Sequence, residues 1–188
     1  MIKVGIVGSG FIGPAHIEAI RRLGFVEVVA LCDSSLVVAQ EKAQQYNVPF
    51  AYGDVAELLQ HPGLSVVHNC TPNHLHAAIN RQILLAGKHV FSEKPLCMTA
   101  AEARELVALA EQAGVVHAVS FVYRQFAMVQ QAASMIRHQQ AGRIFAVHGS
   151  YLQDWMLHDT DFNWRILPDK GGVSRTCLLY TSPSPRDA

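Results

Sequence analysis

A glycine-rich hexapeptide near the amino terminus constrains this chain more than any other feature. Gly8-Ser9-Gly10-Phe11-Ile12-Gly13 follows the β-branched apolar run Lys3 to Val7 and opens a stretch with helical spacing, Pro14 to Leu23. Three glycines so spaced serve a tight strand-to-helix turn, a backbone that a ligand approaches with no Cβ in the way, and close packing of helix on strand. The first amides of a helix have no intrahelical partner and sit at the positive end of its dipole, so the turn binds phosphate without a basic side chain. A second apolar run, Val26 to Cys32, ends at Asp33, about 20 residues beyond the loop, where a carboxylate accepts the hydroxyls of a ribose. The combination predicts a dinucleotide site. Because Asp33 repels a 2′-phosphate, NAD is expected over NADP; Ser34 and Ser35 leave room for dual use, and no Arg follows to demand a phosphate.

Short apolar runs and longer helical stretches continue to alternate, which predicts parallel strands with crossover helices. Ser34 or Ser35 caps a helix to about Tyr46, and Asp54 followed by Glu57 begins a short one. Ser65 to Cys70 reads as a strand ending in the turn Thr71-Pro72-Asn73, Leu75 to Leu85 as a helix stopping at Gly87, and Lys88 to Ser92 as the next strand. Thr99 and Glu102 form a capping box, Gly114 closes that helix, and Val115 to Phe121 is a further strand. Beyond a boundary at Val122 to Gln125, a helix near Met128 to Gln139 and a strand near Ile144 to Leu152 begin something else. The expected architecture is a doubly wound parallel α/β sheet of the Rossmann type over residues 1–122, followed over 123–176 by the start of a second domain.

Half of the 188 residues are hydrophobic and 16% are charged, with 15 Lys+Arg against 15 Asp+Glu, which excludes a disordered polyelectrolyte. Balanced charge supplies no field for nucleic acid or an anionic membrane, so neither is an expected partner. The apolar runs break well before the roughly 18 residues of a bilayer span, and Met1 leads straight into the first strand with no targeting peptide. Cys32, Cys70, Cys97 and Cys177 lack a paired spacing, so a reduced, cytoplasmic protein is expected. Residues 177–188 abandon the periodicity of everything before them. The run from Cys177 to Asp187 resembles the translation of a sequencing-library adapter, which would make it a scar foreign to the fold on a shortened gene.

Three further stretches fall at or just beyond the carboxyl ends of expected strands, the edge where open α/β sheets bind ligands: Cys70-Thr71-Pro72-Asn73-His74-Leu75-His76, Gly87 to Pro95, and Tyr123-Arg124. With the glycine loop, this ordered set (GSGFIG, TPNHLH, GKHVFSEKP, YR) resembles the Gfo/Idh/MocA oxidoreductases, the family of glucose-fructose oxidoreductase and inositol dehydrogenase, from Met1 to about Thr176. The resemblance implies that Gly8, Ser9, Gly10, Phe11, Ile12, Gly13, Asp33 and Ser34 hold the adenosine and pyrophosphate of NAD. It further implies that Thr71, Pro72, Asn73 and His76 line the cofactor's middle, and that Glu93 and Lys94 flank the nicotinamide and the reacting sugar carbon. Arg124 joins the cofactor and substrate contacts. Relatives in the family continue from a Gly-Gly pair to an Asp and a His that complete proton transfer; here Gly171-Gly172 is followed only by Val173 to Thr176 and the foreign tail, so the general base is missing. The resemblance also makes residues 123–176 the truncated beginning of an α+β substrate and oligomerisation domain, and implies for the intact protein a homo-oligomer formed through the carboxy-terminal sheet.

Lys94 also carries a direct physical case. An ammonium beside a secondary alcohol favours the alkoxide-like charge that grows as a proton leaves oxygen and a hydride leaves carbon. Lys94-Pro95 is a candidate cis peptide, the form that only X-Pro bonds adopt cheaply. His68, Cys70, His74 and His76 lie close in sequence but on a strand, a turn and a helix start, so no metal site is expected. His16 and His89 are expected as packing or surface residues. The aromatic and charged stretch from Tyr151 through Trp155 to Trp164-Arg165 suits a sugar face, with Trp164 and Arg165 as substrate contacts, or equally the new domain's core. The function expected is hydride transfer between a sugar or polyol secondary hydroxyl and NAD, in a piece that binds cofactor better than it catalyses. Two alternatives are an NAD-dependent glycosidase of the same fold, told apart by the absence of net cofactor reduction, and a dinucleotide sensor without turnover.

Overall fold

The computed structural model describes residues 1–150, 154 and 157–172. The chain divides into two compact units, Met1–Ser120 and Phe121–Ala188. In the first, six strands form one sheet: β1 (Ile2–Val7), β2 (Val26–Cys32), β3 (Phe50–Tyr52), β4 (Leu64–Asn69), β5 (His89–Ser92) and β6 (His117–Val119). They lie in the order β3-β2-β1-β4-β5-β6, every pair parallel, with the crossovers made by α1 (Gly13–Arg21), α2 (Leu36–Gln45), α3 (Val55–Leu59), α4 (His76–Leu85) and α5 (Ala100–Ala113). This is the doubly wound Rossmann arrangement expected from the alternation of segments.

Two cores account for the near-continuous apolar strands. Val4 and Ile6 of β1 pack with Ile17 and Ile20 of α1 and Ala39 and Ala43 of α2 on one face. Val7 packs with Leu58, Ile79, Ile83 and Leu106 from α3, α4 and α5 on the other. A central strand buried on both faces has no polar side to alternate with, which is why β1 reads as an unbroken apolar run. Local chemistry then sets where the helices start. Ser35 accepts the amide of Val38 at the start of α2, Asp54 accepts those of Ala56 and Glu57 at α3, and Thr99 and Glu102 complete a capping box at α5. All five helix-to-strand returns pass through a residue with positive φ: Gly24, Asn47, Gly63, Gly87 and Gly114.

The chain winds from β1 outward to β2 and β3, then crosses back to β4 and outward to β5 and β6. The reversal leaves a crevice at the carboxyl ends of β1 and β4, where Val7 is level with Asn69, and Asn69 with Ser92 of β5.

Several elements differ from the sequence reading. The short β3, half exposed and starting after Pro49, carried no strand pattern of its own; its pairing with β2 creates it. The final strand of the unit is three residues rather than seven. In the second unit, α6 (Ala127–Arg137) forms where helical spacing predicts it, with no buried side chain, and a short α7 (Pro168–Gly171) follows the 3₁₀ turn Trp164–Ile166. The strand expected over Ile144 to Leu152 is not present over residues 144–150, which are exposed and without ladder partners among the described residues. A strand is made by pairing, so apolar composition alone does not produce one. Residues 151–153, Trp155 and 177–188 lie outside the described residues.

Candidate functional site

The loop from β1 into α1 is built around three glycines, two of which the fold itself requires. Gly8 has φ +89, and a Cβ there would stand 2.9 Å from the Cys70 carbonyl group and 3.0 Å from the Thr71 nitrogen, so β4's exit passes directly over it. At Gly13 a Cβ would come within 2.5 Å of the Gly8 carbonyl oxygen, so this glycine lets α1 close onto the loop. Gly10 is different: nothing lies within 4 Å of where its Cβ would be. Internal packing leaves that face open, which is what an approaching ligand requires. The start of α1 agrees, since Ile12 at its N-cap offers no side-chain cap, unlike Ser35, Asp54 and Thr99 at α2, α3 and α5. Uncapped first-turn amides beside an open glycine make a cradle that fits a diphosphate. Phe11 points out of the loop, 92% exposed.

Asp33, one residue past β2, is clamped next to that loop. Its Oδ2 accepts the Ser9 amide at 2.8 Å and the Ser9 hydroxyl at 2.5 Å, and its Oδ1 accepts the Ser34 amide at 2.7 Å. Partial burial works against ionisation, but these donors outweigh it and hold the carboxyl below the usual carboxylate range. The result is a fixed negative charge beside the cradle.

Across the crevice, a buried amide network sets the loops after β4 and β5. Asn69 donates to the Asn80 side-chain oxygen at 2.9 Å and accepts from the Thr71 hydroxyl at 2.7 Å, while Asn80 donates to the Ser92 hydroxyl at 3.0 Å. Asn69, Asn80 and Ser92 are fully buried. His76, expected to line the cofactor's middle, is wholly buried, with Nδ1 2.5 Å from the Pro95 carbonyl oxygen and Nε2 2.7 Å from that of Thr71. Burial lowers its pKa against the pull of those two carbonyls. Each ring nitrogen faces a backbone carbonyl, and the neutral ring donates its one proton to one of the two, so His76 sits as a brace between the two loops. Asn73 is likewise buried, whereas Thr71 and Pro72 remain partly exposed.

Glu93 follows β5 and is also buried. Its Oε1 accepts from His16 Nε2 at 3.0 Å, and its Oε2 from the Lys94 amide at 3.1 Å. Burial opposes ionisation, but hydrogen bonds from His16, the Ser120 side chain and the Lys94 amide prevail and keep the carboxyl below its ordinary value. His16 Nδ1 in turn lies 2.9 Å from His68 Nδ1, and His68 stacks on Phe91 at 4.8 Å. Burial, reinforced by the neighbouring His16, pushes His68 down to about 3. The reading of His16 as mere packing is therefore corrected: it is a partner of Glu93 across 77 residues of sequence. One feature of the sequence marks it, because His16 shares the buried stripe of α1 with Gly13, Ile17 and Ile20, where an imidazole needs a polar partner.

Lys94 lies beside Glu93, partly exposed, and its bond to Pro95 is cis. Since Val7, Asn69 and Ser92 are level, the glycine loop and the Lys94 turn stand two strand spacings apart, roughly 10 Å. His68 lies against His16 and Phe91, His76 between two carbonyls, and no group of three metal-ligating side chains occurs among the described residues. Burial pushes the Cys32 thiol up to about 12 and the Cys70 thiol upward as well, so both stay protonated under the loops. Arg124, Trp164 and Arg165 belong to the second unit. There Arg124 is exposed, and the Arg165 guanidinium packs over the Trp164 ring at 4.9 Å. No helix among the described residues is long and apolar enough to cross a membrane.

Comparison with known proteins bears directly on this geometry. A family model described as an oxidoreductase family with an NAD-binding Rossmann fold matches residues 2–121. Levoglucosan dehydrogenase of Pseudarthrobacter phenanthrenivorans is 33% identical over 176 residues, which cover 88% of this chain and 45% of that protein. D-glucoside 3-dehydrogenase of Escherichia coli is 32% identical over 145 residues, 77% of this chain and 41% of the relative. A solved structure of levoglucosan dehydrogenase in complex with NADH and levoglucosan superposes with a TM-score of 0.84 at 30% identity, covering 91% of this chain and 48% of the other. The chain thus spans about half the length of these relatives.

Proposed function

The chain belongs to the Gfo/Idh/MocA oxidoreductases, and from that membership we propose that it is the cofactor-binding part of an NAD-dependent dehydrogenase acting on a secondary hydroxyl of a sugar or polyol. The observation that carries the reading is the row of groups along one sheet edge: an open, uncapped phosphate cradle at Gly10, the ionised Asp33 beside it, and Lys94 two strands away. The sugar dehydrogenases among its relatives support the substrate class.

The amides of the loop from Gly8 to Gly13 hold the diphosphate, and Asp33 accepts the adenosine ribose hydroxyls while its charge disfavours a 2′-phosphate. Bound NAD supplies the hydride acceptor. The Lys94 ammonium orients the substrate hydroxyl and stabilises the charge that builds on its oxygen, an interaction stronger in the transition state than in the ground state. Proton removal falls to a base outside the described residues, and Arg124, Trp164 and Arg165 are assigned to substrate recognition.

The test has two arms. The 188-residue chain should bind NADH in titration calorimetry. The protein extended to the length of its relatives should form NADH from a sugar or inositol panel, with Lys94→Ala lowering kcat about a hundredfold or more. Undiminished turnover in that variant would reject Lys94 as the catalytic residue.

A further inference from the structure

We propose that His16 is a positioning residue that ties the turn carrying Lys94 to the helix whose amino end forms the phosphate cradle, holding the two halves of the dinucleotide site in register. The proposal rests on the cofactor reading above and extends it to a residue outside both the glycine loop and the Glu93-Lys94 pair.

A carboxylate as buried as Glu93 keeps its charge only with donors on both oxygens. Those donors come from three parts of the fold. Oε1 takes a bond from His16 on α1 and Oε2 one from the Lys94 amide in the turn after β5, and the Ser120 side chain just past β6 supplies a third. Of these only His16 reaches across to α1, so the side chain is a strap between that helix and the Lys94 turn. Because a carboxylate only accepts, His16 Nε2 carries a proton in either charge state of the ring. Its other nitrogen meets His68 Nδ1 at 2.9 Å, and the ring stands edge-on to His68 and to Phe91, at 5.2 and 5.8 Å between centroids. Flipping or swinging the imidazole would break one contact or the other, so its direction is fixed by β4 and β5 together.

Take His16 away, and Glu93 loses its bond to α1 while remaining buried. It then takes up a proton or turns outward, and its grip on the Lys94 amide slackens in both cases. The cradle does not depend on this strap: Gly8 is set by the backbone of Cys70 and Thr71, and Gly13 by the Gly8 carbonyl. The damage should fall on the Lys94 side alone.

ADP-ribose, which shares the adenosine and diphosphate of NADH but lacks nicotinamide, separates the two sides. Affinities of both ligands for the full 188-residue chain would be compared by calorimetry in wild type, His16→Ala and His16→Gln. The Ala variant should keep ADP-ribose affinity within about twofold and lose NADH affinity on the order of tenfold, as expected for a lost hydrogen bond to a charged group. Gln, whose amide donates as Nε2–H does, should restore most of it. Equal loss of both ligands in His16→Ala would make the residue merely structural and overturn the proposal, as would unchanged NADH affinity or failure of Gln to rescue. A wild-type chain that binds neither ligand would bring down the cofactor reading itself, a result distinct from loss confined to the variants.

Discussion

Replacing Gly10 and Gly13 separately by alanine should split binding from folding, since the two positions differ only in what surrounds an added methyl. At Gly13 the new Cβ would sit 2.5 Å from the Gly8 carbonyl oxygen, about half an ångström closer than such atoms are ever found. Both partners are backbone, so relief requires α1 to lift from the loop and loosens the packing of Ile17 and Ile20 beneath it. Overpacking of this kind costs about 1–3 kcal/mol, equivalent to a fall in Tm of about 4–12 °C for a unit of this size. At Gly10 the methyl meets nothing within 4 Å and φ is not positive, so stability should stay within about 0.5 kcal/mol of wild type. It does occupy the face assigned to the diphosphate. Losing one amide contact to a charged group there is worth about 1.5–3 kcal/mol, or about a tenfold to hundredfold rise in the Kd for NADH. Urea denaturation and NADH calorimetry on the same samples read both quantities. The reasoning fails if Gly10→Ala binds NADH as wild type does, or if Gly13→Ala is as stable as wild type.

Acid should act through His68. Its folded pKa lies near 3 and its unfolded one near 6.5, so the unfolded chain takes the proton first; the stability is fully present above pH 6.5 and is lost as pH falls toward about 3, by up to about 1.4 kcal/mol per unit. The stability of wild type relative to His68→Asn should therefore fall between pH 7 and 5 in urea titrations, and a constant difference would contradict the shift. Replacing Asp33 by alanine should cut the preference for NADH over NADPH at least about tenfold in fluorescence titrations, because the charge that repels a 2′-phosphate is gone; an unchanged ratio would remove Asp33 from cofactor selection.

What was legible in the sequence follows from how local each determinant is. The caps at Ser35, Asp54 and Thr99, the stop at Gly114 and the doubly buried β1 all announce themselves within a few residues, and each is found where its side chain predicts it. The glycine loop belongs with them, since strand, turn and helix are contiguous. Illegible were the features that exist only through distant partners. β3 is held by β2, the strand expected over Ile144 to Leu152 finds no ladder partner over 144–150 among the described residues, and His16 acquires its role from a carboxylate that no neighbour in sequence reveals. His76 illustrates the same limit from the other side: its motif position says nothing of its burial between the carbonyls of Thr71 and Pro95, which lie five residues before it and 19 after.

The five positive-φ returns between helices and strands carry a consequence for how this domain tolerates change. Gly24, Gly87 and Gly114 have no atom within 4 Å of an added Cβ, so at these three it is the backbone's own positive φ and not close packing that asks for glycine. The proposed cofactor site occupies one rim of the sheet, and these returns lie along the opposite one. Loop extensions, affinity handles or fluorophores inserted at that plain rim are thus insulated from ligand chemistry by the full length of the strands, and sequence drift there leaves the business end untouched.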